Sequence, residues 1–78
     1  MKWNYRVLAH KQFDEVYFYI HEVYYDEEGN PNGYIERPVS PQSEEIKGMR
    51  WQLNKMKEAL SKPIIKIWDF PNIYETEI

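Results

Sequence analysis

Residues 3–10 alternate, placing Trp3, Tyr5, Val7 and Ala9 on one side of an extended segment and Asn4, Arg6, Leu8 and His10 on the other. A period of two is the mark of a strand. After the turn KQFDE, residues 16–25 form the longest run rich in β-branched and aromatic side chains, which predicts the central strand of a meander. Its two faces are Val16, Phe18, Ile20, Glu22 and Tyr24 against Tyr17, Tyr19, His21, Val23 and Tyr25. The stretch DEEGNPNG at 26–33 is dense in turn formers, with Asp26 and Asn30 available for local backbone hydrogen bonds, and 34–39 is expected to return as a third strand. Pairing Tyr25 with Tyr34 sets Glu22 opposite Arg37 and Ile20 opposite Val39, whereas a slip of one residue sets Glu22 against Glu36. That register puts Phe18, Ile20, Tyr24, Ile35 and Val39 on the core face. Tyr17, Tyr19, His21, Tyr25 and Tyr34 then share the other.

A period between three and four follows. Ile46, Met49, Leu53, Met56 and Leu60 make one apolar stripe on a predicted helix. Its start is expected near SPQSEE, with Ser40 or Ser43 as N-cap, Pro41 in the first turn and Glu44 and Glu45 at the positive end of the dipole; Pro63 marks its stop. Gly48 weakens its interior by about 1 kcal/mol relative to alanine. Trp51 points away from the stripe, among Glu44, Lys47, Lys55 and Glu58, and calls for a cover. Residues 64–68 carry the β-branched and aromatic content of a fourth strand, and an irregular tail is expected after Pro71, covering its own chain or docking on a neighbour. The fold class predicted is α+β: a three-stranded antiparallel meander, one long helix packed on one face, and a C-terminal extended segment or fourth strand.

The 78 residues make a single domain, and a domain this small buries only about 60% of the surface its unfolded chain exposes. Aromatic residues at 17% are the available means of filling such a core, because there is no cysteine for disulfides or thiolate metal sites. The lack of cysteine, of a signal-peptide pattern and of any run of about 20 apolar residues points to a cytoplasmic protein without a membrane segment. A net charge of −3 opposes the electrostatic term that dominates duplex binding, so nucleic acid is disfavoured as a partner.

No motif commits the chain to a chemistry. His10 and His21 have no second ligand at helical spacing, and His21 reads as a polar residue on the outer sheet face. The acidic turn lacks the ligand spacing and flanking helices of a calcium loop. There is no nucleophile elbow, and Gly29, Gly33 and Gly48 form no phosphate-binding fingerprint. Glu22 opposite Arg37 reads as an ion pair. The expectation is therefore a protein that is not an enzyme and needs no cofactor or metal.

The tyrosine-rich face is the strongest feature, since tyrosine offers large contact area at low side-chain entropy. Tyr17, Tyr19, Tyr25, Tyr34 and Trp51 are the candidate binding residues. They suit a protein partner or a second copy of the chain, giving a homodimer. Stacking of a single-stranded nucleic acid on exposed rings is the alternative, without the basic, glycine-flanked signature expected of an RNA-recognition sheet. Inhibition of a host protein in the manner of small phage proteins is a further case, compatible with the size and acidity.

The strings W-N-Y-R-V at 3–7 and H-E-V-Y-Y-D at 21–26, with the turn around Gly29 and the Lys62–Pro63 helix stop, resemble a family of short bacterial proteins with no assigned activity. The resemblance covers most of the chain to about residue 65. It implies a shared fold and assigns no catalytic residue; the aromatic stretch from Ile67 onward falls outside it.

Overall fold

The computed structural model of the chain describes residues 2–70. Two strands of equal length, β1 (Lys2–Gln12) and β2 (Glu15–Tyr25), pair antiparallel from Lys2 opposite Tyr25 to Gln12 opposite Glu15. A short β3 (Pro31–Tyr34) continues antiparallel beside β2. The helix α1 (Ile46–Ala59) then carries the chain back, so that β4 (Ile65–Lys66) runs parallel to β1, pairing at Leu8 and Ala9. The sheet order is β3-β2-β1-β4. The α+β class and the antiparallel three-strand core thus form as the sequence implies, but the fourth strand makes the sheet mixed and spans two residues rather than 64–68. The expected tail after Pro71 lies outside the described residues.

The loop between β2 and β3 is closed by Asp26. Its carboxylate accepts the backbone N–H groups of Glu28 and Asn30, each at 2.9 Å, and Gly29 supplies the positive φ of 85° that the bend requires. This loop is shorter than expected, so Pro31–Tyr34 is strand and residues 35–39 are not. Tyr34 consequently faces Val23 instead of Tyr25. A shift of two residues keeps every side chain on its expected face. Ile20 and Val39 do meet, through the Val39 N–H to Ile20 carbonyl bond of 2.8 Å. Arg37 sits in the bend and forms no ion pair with Glu22; the ion pair among the described residues is Lys55–Glu58 at 3.5 Å.

The helix begins later and is turned further than the apolar period suggests. Glu45 is its N-cap residue, with no side-chain cap, and Ser43 instead accepts the Glu45 N–H at 3.2 Å in the turn before it. Ala59 is fully buried, with Met56 beside it, whereas Ile46, Leu53 and Leu60 of the expected stripe are exposed. Gln52 explains the rotation. Its amide spans the seam, accepting the Gln42 N–H at 2.9 Å and donating to the Tyr5 hydroxyl at 3.4 Å, so a polar residue occupies the middle of the packing face.

Both faces of the sheet are covered. On one, Ala59 packs on Tyr5 and Val7, flanked by Ile20, Val39 and Met56. On the other, Phe70 closes over Leu8, Val23 and Tyr34, flanked by Tyr25, Ile65 and Ile67. The 3₁₀ turn Ile67–Asp69 delivers Phe70 to this position, 5.0 Å from the Tyr34 ring. The side read as the outer tyrosine face is therefore a second core face over part of its length, while Phe18 and Ile35, placed in the core from the sequence, are exposed. Among the described residues no helix is long and apolar enough to cross a membrane.

Candidate functional site

The covering elements stop short of the β1–β2 turn. β4 reaches only Leu8 and Ala9 on one side, and on the other the last backbone bond to β2 is the one at Ile20. Residues 10–19 are left as a two-stranded arm with both outer edges open among the described residues. Because Ile20 and Glu22 direct their carbonyls outward, alternation gives Val16 and Phe18 outward-facing backbone groups as well.

The arm ends in a two-residue turn, Phe13 and Asp14, between the paired Gln12 and Glu15. Phe13 has φ 58° and is 97% exposed. Positive φ at the first turn position suits the right-handed twist of a hairpin, and glycine or asparagine usually supplies it. A phenylalanine there carries backbone strain of roughly 1–3 kcal/mol and gains nothing by burial. Behind it, Val16 and Phe18 are exposed on the helix side, Tyr17 and Tyr19 on the opposite side. The Tyr17 hydroxyl donates to the Glu15 carboxylate, which, with some desolvation and the neighbouring Tyr19, holds its pKa above the usual phenol value. At the base of the arm, the Lys11 ammonium lies 4.4 Å from the centre of the Trp68 ring.

Of the five rings singled out from the sequence, the structure brings Tyr17 and Tyr19 together on this arm. Tyr25 lies deeper, its hydroxyl donating to the Asn4 side chain at 2.6 Å and accepting from Arg6 at 2.9 Å. Arg6 also donates to the Pro63 carbonyl at 2.6 Å, so this group ties the end of β2 to the chain leaving the helix. Tyr34 is buried at 5% exposure and belongs to the core, because β3 sits two residues from its expected register and Phe70 caps it. Trp51 stands apart from all of them. It lines a cavity of about 330 Å³ on the helix side, with Trp3 and Tyr5 from β1, Lys55 and Glu58 from α1, and Lys62 beyond it.

The two histidines, left out of the candidate site by the sequence reading, meet on this side of the sheet. His21 is fully buried, not on an outer face, and its Nε2 lies 2.9 Å from Nε2 of His10. Its other nitrogen, Nδ1, donates to the Ile35 carbonyl at 2.8 Å. Tyr19 and Tyr34 present their rings edge-on to it, at 6.3 and 5.4 Å. Alternation carries part of the signal, since His10 and His21 fall on the same sheet face, but their ladder partners are Tyr17 and Arg6 and the contact is diagonal. Among the described residues no three His, Asp or Glu side chains gather in a way that could hold a metal ion.

No family model, curated protein or solved structure matches the chain.

Proposed function

We propose that this chain is a non-catalytic protein-binding module of the cytoplasm and that its contact surface is the end of the β1–β2 arm. One observation carries this reading: a fully exposed phenylalanine held at positive φ on the tip of a hairpin whose other exposed apolar and aromatic side chains are Val16, Tyr17, Phe18 and Tyr19. Contact surfaces concentrate aromatic rings in this way, and open strand edges with outward backbone groups add a template for pairing with a partner strand. The partner is another protein, a second copy of the chain included. Relative to the sequence expectation, the surface loses Tyr34 to the core, the partly buried Tyr25 to its edge and Trp51 to the helix-side cavity, and gains Phe13, Val16 and Phe18. The motifs that resemble a short bacterial family fall on β1 and on the end of β2 away from the arm. On this reading they hold the fold rather than the contact.

The test is a photoreactive phenylalanine analogue placed at position 13 or 18, with position 27 in the β2–β3 loop as control, irradiated in the cells that make the protein. A discrete adduct from positions 13 and 18, absent from 27, supports the surface, and its mass tells a second copy from another protein. Equal labelling at all three positions, or none, contradicts it.

A further inference from the structure

The cavity between Trp3 and Trp51 lies at the opposite end of the β1–β2 ladder from Phe13, since Trp3 pairs with Tyr24 and Gln12 with Glu15. β4 covers β1 only at Leu8 and Ala9, so among the described residues the first half of that strand's edge is unpaired, and the cavity lies there beside the second half of α1. Its walls are aromatic. Trp3 packs tilted on Tyr5 at 5.3 Å between ring centres, and both tryptophans keep large solvent-facing areas, 42% for Trp3 and 52% for Trp51. Two half-exposed indoles beside one hollow leave apolar surface in water that a domain of this size has few other ways to cover.

The charges around the hollow differ in kind. Glu58 is matched by Lys55 at 3.5 Å, and the same ammonium stands 6.0 Å from the Trp51 ring. Lys62 is half-buried, and its ammonium has no ion-pair or hydrogen-bond partner among the described residues. The local balance is positive in a chain of net charge −3. Flat aromatic walls recognise a planar ring by stacking, and an unmatched ammonium at the rim selects a negative group attached to it. A volume near 330 Å³ is at the small end of ligand sites, enough for one ring system with its charged group and too small for a folded peptide.

We infer that this cavity is a binding site for a small planar anion, an aromatic ring bearing a carboxylate or a phosphate, with Trp3 and Trp51 contacting the ring and Lys62 the anionic group. Lys62 also lies just past the end of α1, where a cation complements the helix dipole. Stability alone therefore does not distinguish its roles, and the readout has to be binding.

The experiment follows the three indole N–H resonances of the whole chain by NMR, titrating with adenosine monophosphate, indole-3-acetate, adenosine and inorganic phosphate. The expected result is that Trp3 and Trp51 shift together and saturably with at least one of the two ring anions, while Trp68 does not move. Which of the two binds separates a nucleotide from an aromatic acid as the source of the chemistry. Adenosine binds more weakly than its monophosphate, and phosphate alone leaves the indoles unshifted. Lys62→Gln lowers affinity for the ring anion by about tenfold while leaving adenosine unaffected, and Trp51→Ala, at an exposed position, removes binding without unfolding. No saturable shift with either ring anion overturns the inference, as does an equal response of Trp68 or binding unchanged in both variants. Phe13 variants leave this site intact, so its outcome is independent of the arm's.

Discussion

His10 and His21 meet diagonally across the β1–β2 ladder with their Nε2 atoms 2.9 Å apart, and the second ring is wholly out of solvent. The Ile35 carbonyl fixes the proton arrangement. It accepts from Nδ1 of His21, so the neutral ring presents a bare Nε2 to His10, whose own Nε2–H is the donor. Arg6, whose Cα is the ladder partner of His21, is a permanent cation on the same face.

Burial lowers the pKa of both rings; for His21 the proximity of His10 adds to this, and the Ile35 carbonyl opposes it in part. The folded state then binds fewer protons than the unfolded chain, whose histidines titrate near 6.5. Stability is expected to be level above about pH 7 and to fall as pH drops below about 6.5 toward the lowered folded-state values. Urea unfolding at a series of pH values checks this, and His10→Gln with His21→Gln flattens the profile between pH 7 and 5.

Among the described residues after the helix, Phe70 is the one buried side chain, set against the tyrosine side of the sheet. Phe70→Ala is expected to remove about 3 kcal/mol, a large share of the stability of so small a domain. Trp68→Ala, at a ring that is 42% exposed, is expected to cost less than about 1 kcal/mol. Melting temperatures of the two variants measure the difference.

The rotated helix face predicts a reversal of the usual hydrophobic ranking. Leu53→Ser is expected to change stability by no more than about 0.5 kcal/mol, because Leu53 is half in solvent. Ala59→Leu is expected to cost about 1–3 kcal/mol, because Ala59 is fully buried against Tyr5 and Val7. Chemical denaturation of both variants tests the packing directly.

Gly48 gives a third contrast. A methyl group there would collide with the Ser43 side chain, which folds over the first turn of α1. Gly48→Ala is therefore expected to bring none of the roughly 1 kcal/mol that alanine gains in an open helix. Gly48→Ala measured in a Ser43→Gly background is expected to recover part of it.

The two faces of each long strand were legible because alternation survives any even shift of register, and the β2–β3 shift is of two residues. The position of that pairing was not, because Asp26 closes a tighter loop than turn composition implies and Pro31 enters the strand. The apolar period located the helix but misplaced its packing side, since Gln52 satisfies its amide in the seam and lets Leu53 face outward. Tyr17 and Tyr19 were found as exposed rings on the correct face. Tyr34 and His21 share that face, but Tyr34 lies under Phe70 and His21 packs against Tyr34, and a local pattern does not show which part of a strand a distant segment covers. Phe13 gave no sign, because nothing in KQFDE announces positive φ at an aromatic residue.

If the arm's tip serves contact and not folding, the unfolding free energy of Phe13→Asn against the parent chain shows it. Asparagine adopts positive φ with less strain, and the lost ring is 97% exposed, so the variant is expected to be more stable by about 1 kcal/mol. A variant less stable by that amount would show that the Phe13 ring packs within its own chain, and the proposed contact surface would lose the residue on which it rests.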